Sequence, residues 1–106
     1  MQPVQDDRLV VGDLVLDRRT RTATRGGRPL ALAPKEFALL EYLMRHPGQV
    51  ITRTSLLEHI WDYDFDPLAN VVDAAIRRLR KVVDDGDVPP LIHTVRGVGY
   101  KIQDRA

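Results

Sequence analysis

The stretch from residue 70 to residue 101 restricts the possible folds of this chain more than any other. Wound as a helix at about 100° per residue, it gathers Val72, Ile76, Leu79 and Val83 on one side and Asn70, Ala74, Arg77 and Lys81 on the other. Arg78 and Arg80 flank the polar side, so one face is apolar enough to enter a core and the other carries a cationic band. Such a band is either a solvated helix face or a surface for a polyanion. The next segment bears on that choice. Ile92-His93-Thr94-Val95-Arg96 alternates as a half-buried strand does, Gly97-Val98-Gly99 offers permissive backbone for a turn, and Tyr100-Lys101-Ile102 returns as a second strand. Arg96 then sits near the hairpin tip, and its flat, permanently charged group suits a narrow minor groove where negative potential concentrates. A basic helix beside such a hairpin matches the two grooves of duplex DNA.

Upstream, Leu9-Val10-Val11, Leu14-Val15-Leu16, Thr22-Ala23-Thr24 and Pro29-Leu30-Ala31-Leu32 read as short strands, separated by turn signals at Gly12-Asp13, Arg19-Thr20 and Gly26-Gly27. Pro34 suits the first turn of a helix and Glu36 its positive end, with Phe37, Leu40, Leu43 and Met44 as the apolar stripe and Pro47-Gly48 as the stop. Thr52 is placed to N-cap a second helix whose Leu56, Leu57, Ile60 and Trp61 face inward. The basic helix is the third.

At 106 residues, 43% hydrophobic and 29% charged, the chain fits one small domain with a modest core. Residues 1 to 7 read as a linker remnant and 8 to 104 as the domain. No apolar run approaches the roughly 20 residues that span a bilayer, and Met1 to Gln5 lack the features of a signal peptide. The absence of cysteine removes disulfides and thiolate metal sites. These features lead us to expect a cytoplasmic protein without a membrane partner. The net charge of +1 is small for a polyanion binder, but it is unevenly spread. Four of the five residues from Arg77 to Lys81 are basic, while Asp62, Asp64 and Asp66 form one acidic cluster and Asp84, Asp85 and Asp87 another.

In Leu32-Ala33-Pro34-Lys35-Glu36-Phe37-Ala38-Leu39-Leu40, Leu56-Leu57-Glu58-His59-Ile60-Trp61, Val72-Asp73, Arg77-Arg78-Leu79-Arg80-Lys81 and Thr94-Val95-Arg96-Gly97-Val98-Gly99-Tyr100, the chain resembles the carboxy-terminal effector domain of the OmpR/PhoB family of bacterial two-component response regulators. Trp61-Asp62, Phe65-Asp66, Asn70-Val71-Val72-Asp73 and Leu91-Ile92-His93-Thr94 further resemble its copper and heavy-metal-responsive branch. The resemblance implies an α+β fold: a winged helix-turn-helix with an N-terminal four-stranded antiparallel sheet, three helices and a C-terminal β-hairpin wing. The second helix would cross the phosphate backbone and the third would enter the major groove. The receiver domain of the phosphorelay, with its phospho-accepting aspartate, has no counterpart in this sequence. Two positions depart from the family. Ala33 stands where a serine or threonine usually caps the first helix, at a cost of about 1 kcal/mol. Ala75 stands where several relatives carry a larger polar residue able to reach a base.

On this reading Asn70, Ala74, Arg77 and Arg78 face base edges, arginine through guanine O6 and N7 and the Ala74 methyl against a thymine methyl. Arg80, Lys81, Thr94 and Tyr100 face phosphates. The resemblance adds Arg53 and the indole N–H of Trp61 to the phosphate set; Trp61 equally suits a core anchor. Arg96, with Gly97, forms the wing tip in the minor groove. Asp62, Asp64 and Asp66 lie in the loop that, by resemblance, meets RNA polymerase through its sigma or alpha subunit. A free monomer and a head-to-tail tandem pair on direct-repeat half-sites are implied, with recognition helices about 10 to 11 base pairs apart.

Other readings of the chain remain open at this level. A winged-helix module used for protein interaction without specific DNA binding is one. The alternate aspartates from Asp62 to Asp66 also open like a calcium loop, although Pro67 replaces its glycine and Asp73 its bidentate glutamate. Arg18, Arg19, Arg21, Arg25 and Arg28 form a second basic stretch, either an auxiliary phosphate patch or charge that protects a sheet edge. His46, His59 and His93 are too scattered for a zinc motif. No nucleophile has a partner motif and no glycine-rich phosphate loop occurs, so neither an enzyme nor a cofactor is expected.

Overall fold

In a computed structural model, residues 7–61 and 70–104 are described, and of Asn70 only the backbone. Strands β1 (Arg8–Val11), β2 (Leu14–Asp17), β3 (Thr22–Arg25) and β4 (Arg28–Pro29) pair in chain order as an antiparallel sheet. Alternation sends Val11, Leu14, Leu16 and Ala23 into the core. The Arg19-Thr20 turn is built by Asp17, whose Oδ1 accepts from the backbone N–H of Arg19 at 2.9 Å and of Thr20 at 3.2 Å. Strand β4 is shorter than the expected Pro29 to Leu32. After Leu30 N donates to the Ala23 carbonyl, the chain leaves the sheet edge, and Leu30 and Leu32 pack against the core as irregular backbone leading into the first helix.

Helix α1 (Pro34–Met44) buries Phe37, Leu39, Leu40, Leu43 and Met44. Ala33 supplies no side-chain cap, as its sequence requires, but the other half of a capping box is present: Glu36 Oε1 accepts from Ala33 N at 3.1 Å. Helix α2 (Arg53–Leu56) begins at Thr52, whose hydroxyl accepts from Ser55 N at 3.1 Å, and continues as a π-helical turn over Leu57–Trp61. Of the expected inward residues Leu56 alone is fully buried; Leu57, Ile60 and Trp61 are half-buried and lean on the core. Lys35 Nζ donates to the Ile60 carbonyl at 2.9 Å, satisfying one of the acceptors a helix end leaves open. Helix α3 (Asn70–Val83) packs Val72, Ile76, Leu79 and Val83 inward as the periodicity predicts, together with Ala75.

The hairpin is β6 (Ile92–Val95) and β7 (Gly99–Ile102), but it is not alone. A two-residue strand, β5 (Ile51–Thr52), pairs with β7 on its other side, giving the sheet order β5-β7-β6. This corrects the reading of Gly99 as a turn residue. A Cβ there would stand 2.0 Å from the Ile51 carbonyl oxygen, so glycine is needed for the close passage of β5. Gly97 is the true turn glycine: its φ is +74°, in a turn closed by Val98 N donating to Val95 O at 2.9 Å.

The second basic stretch is not uniform. Arg25 is buried, 3% exposed, and all its nitrogens are engaged. Nε donates to Asp13 at 2.5 Å, Nη1 to the Val83 carbonyl at 2.8 Å and to Asp84 at 3.0 Å, and Nη2 to the Pro89 carbonyl at 2.6 Å. Asp84, a member of the second acidic cluster, also accepts from Leu91 N at 3.0 Å and Ile92 N at 3.3 Å. The pair therefore fastens the N-terminal sheet to the end of α3 and to the lead-in of the wing. Arg19, Arg21 and Arg28 are exposed, and the Arg21 guanidinium lies 4.5 Å from the centre of the Phe37 ring. Among the described residues no helix is long and apolar enough to cross a membrane.

Candidate nucleic-acid interface

With its apolar side buried, α3 turns Arg77, Arg78 and Lys81 to solvent, with Ala74 partly exposed beside them. Arg77 and Lys81, one turn apart, are exposed and make no ion pair among the described residues. Arg96 and Gly97 are exposed at the wing tip. These are the residues that sequence reasoning placed on a nucleic-acid surface and that the fold leaves available. The side chain of Asn70 and all of Asp62, Asp64 and Asp66 lie outside the described residues, as do the calcium-like loop and most of the expected linker.

Several site residues have other partners. Arg78 Nε donates to Glu36 Oε2 at 3.0 Å, so the carboxylate that helps cap α1 also holds this arginine. Arg80, half-buried, donates through Nε to the Ile92 carbonyl at 3.3 Å and through Nη2 to the Thr94 hydroxyl, which ties α3 to β6. Tyr100 is only 4% exposed and its hydroxyl donates to Asp73. Ala75, at 1% exposure, is a core residue, and the absence of a polar side chain there removes nothing from the exposed face. Trp61 packs against the core, as the anchor reading had it.

The residue that sequence reasoning missed as a site element is Asp73. Arg53 Nε donates to its Oδ1 at 2.8 Å, and the guanidinia of Arg53 and Arg80 lie 5.4 and 5.8 Å from the centre of the Tyr100 ring. The Tyr100 hydrogen bond, followed by that of Arg53 and its charge, holds the Asp73 carboxyl below the ordinary carboxylate range despite partial burial. Burial first, and then the neighbouring Asp73, push the Tyr100 hydroxyl up. The available signal was an acidic residue in the first turn of an otherwise cationic helix face, where the positive helix end also favours it. Its partners, at positions 53 and 100, are beyond the reach of any local periodicity.

Elsewhere, Tyr42 brings two scattered histidines together, its ring centre 4.9 Å from those of His46 and His59. Among the described residues no group of three or more His, Asp or Glu side chains is arranged to hold a metal ion.

The model of the family described as transcriptional regulatory protein, C terminal, matches residues 27–102. The chain is 47% identical over 98 residues to the transcriptional regulatory protein TrcR of Mycobacterium tuberculosis, covering 92% of this chain and 38% of that protein. It is 50% identical over 98 residues to the transcriptional activator protein IrlR of Burkholderia pseudomallei, covering 92% and 43%. It is 44% identical over 93 residues to the transcriptional regulatory protein CusR of Escherichia coli, covering 88% and 41%. The chain thus spans about two fifths of the length of these relatives, which are named as regulators and not as enzymes. Among solved structures, the RstA DNA-binding domain of Klebsiella pneumoniae in complex with the RstA box superposes with a TM-score of 0.82 at 34% identity, covering 92% of this chain and 98% of that one. The Thermotoga maritima response regulator DrrB, an OmpR/PhoB homologue, superposes at 0.80 with 35% identity, covering 92% and 44%. The four-stranded sheet, the three helices, the wing and these likenesses agree: the chain belongs to the OmpR/PhoB family of response regulators, as its carboxy-terminal winged-helix domain.

Proposed function

We propose that this domain binds duplex DNA sequence-specifically and controls transcription as the effector half of a cytoplasmic two-component response regulator, joined to a receiver domain in the full-length protein. The observation that carries the reading is the exposed Arg77 and Lys81 band on α3 beside the exposed Arg96 of the wing, on a fold shared with a domain solved on its DNA box. In this arrangement α3 lies in the major groove with Asn70, Ala74, Arg77 and Arg78 toward base edges. Arg78 must exchange Glu36 for a guanine edge, which is a trade of one charge-assisted contact for another. Lys81, Arg53 and Thr94 face phosphates, and Arg96 with Gly97 enters the adjoining minor groove. Asp62, Asp64 and Asp66, acidic and next in sequence to a cationic helix, suit a basic surface of RNA polymerase better than phosphate. Two copies occupy directly repeated half-sites.

The test begins with duplexes selected from a random library by the purified domain. Arg78→Ala weakens binding to the selected site by about 1 to 3 kcal/mol and relaxes one position, while Lys81→Ala weakens all sequences alike. Equal losses on selected and random duplex for both variants would remove base reading by Arg78. Failure to bind any duplex, with capture of a protein partner instead, would overturn the whole reading.

A further inference from the structure

Asp73 places a carboxylate in the first turn of the very helix that the proposed reading lays against a polyanion. A bystander charge there repels phosphate and weakens binding. Its contacts give it another role. The same Oδ1 accepts from Arg53 Nε and from the Tyr100 hydroxyl, so one carboxylate joins the start of α2, the start of α3 and the central strand of the wing sheet. Engagement through Nε, with the Tyr100 side chain as a second hydrogen-bond partner, fixes the guanidinium plane. The Arg53 side chain is 37% exposed, so it is open in part to a ligand. The ring of Tyr100 lies beneath the guanidinium and limits its swing.

We propose that Asp73 is a positioning residue for DNA phosphate: it holds Arg53 by Nε so that the two terminal nitrogens form a preset fork for one backbone phosphate. The inference rests on the DNA-binding reading above. An arginine fork fits a phosphate bidentately, and a side chain already held in place loses less rotamer freedom on binding than a free one. The carboxylate thus gives up some long-range attraction in exchange for geometry.

The two roles predict opposite signs. Affinity for the selected duplex and for random duplex is measured across a salt series for the unaltered domain, Asp73→Ala, Arg53→Ala and the double variant, at a temperature where circular dichroism shows all four folded. Loss of binding by the unaltered domain would sink the DNA reading itself. Given that binding, Asp73→Ala weakens both duplexes by about five- to tenfold and makes the salt dependence shallower by about one phosphate contact, as Arg53→Ala does. In the Arg53→Ala background the effect changes sign, and removing Asp73 leaves affinity unchanged or raises it, since only the repulsion remains. Tighter binding by Asp73→Ala alone would make the carboxylate a bystander. An equal loss in both backgrounds would make it a general support of the fold, and either result overturns the proposal.

Discussion

Replacement of Arg25 by methionine tests the most heavily engaged polar group in the molecule. The substitution keeps an unbranched side chain of similar reach but removes donors to Asp13, Asp84 and the Val83 and Pro89 carbonyls. Asp13 is half exposed and returns to water. Asp84, with its side chain 9% exposed, does not, and remains as a charge held only by the Leu91 and Ile92 amides. Removing one member of a buried pair costs about 3 to 5 kcal/mol, chiefly through the charge left behind, and two carbonyls lose a donor as well. These costs overlap, so about 4 kcal/mol is the working figure, against a total of about 5 to 15 for a domain. At about 4 to 8 °C per kcal/mol, the midpoint should fall by roughly 16 to 32 °C. Urea unfolding followed by circular dichroism would show the same loss as a lower midpoint with an unchanged slope. The decisive comparison is the double variant with Asp84→Asn, which removes the stranded charge and should recover part of the loss. A loss below about 1 kcal/mol for Arg25→Met, or strict additivity in the double variant, would refute the reasoning.

Three further outcomes follow from contacts in the fold. Gly99→Ala drives a Cβ into the Ile51 carbonyl, so β5 must part from β7; hydrogen exchange should rise at Ile51 and Thr52 before the helices unfold. Ala33→Ser completes the capping box whose Glu36 half already exists and should raise stability by about 0.5 to 1 kcal/mol in chemical unfolding. Asp73 has a folded-state pKa depressed from its ordinary 3.8, so its contribution is present above that value and is lost as pH falls through the depressed one. Stability measured below about pH 4 should therefore drop less steeply in Asp73→Asn than in the unaltered chain, and parallel curves would show that the Arg53 and Tyr100 bonds contribute nothing.

What sequence could disclose divides along the range of the interactions. The buried face of α3, the Thr52 cap, the stripe of α1 and the hairpin all arise from period and local chemistry, and all are present at or near the expected positions. Strand β5 was invisible because two residues cannot show an alternation; its trace in the sequence was Gly99, whose requirement comes from a partner nearly fifty residues away. Arg25 and Asp84 looked like members of two charge runs, and nothing in their neighbours says that they meet across 59 positions. Ala75 was weighed as a lost base contact because the helix wheel fixes angle but not the depth at which a neighbouring element covers it. The cationic face itself was legible, whereas the allocation of Arg78 to Glu36 and of Arg80 to the wing was not, since a guanidinium chooses among acceptors that only the fold assembles.

The same allocation accounts for a nearly neutral chain on a fold used to grip a polyanion. Sixteen basic and fifteen acidic residues nearly cancel, but they do not cancel uniformly. The carboxylates of Asp13 and Asp84 are spent on Arg25, that of Asp73 on Arg53, and that of Glu36 on Arg78. Each of these joins separate elements: Asp84 and Arg25 the far end of α3 to the sheet and wing, Asp73 its near end to α2 and the central strand of the wing sheet, Glu36 its flank to α1. These acidic residues therefore tie the helix to the wing, to α1 and to the N-terminal sheet. On α3 and the wing tip, Arg77, Lys81 and Arg96 remain exposed without an ion pair among the described residues. Removing any of those carboxylates would raise the net positive charge while loosening the placement of α3 against its neighbours.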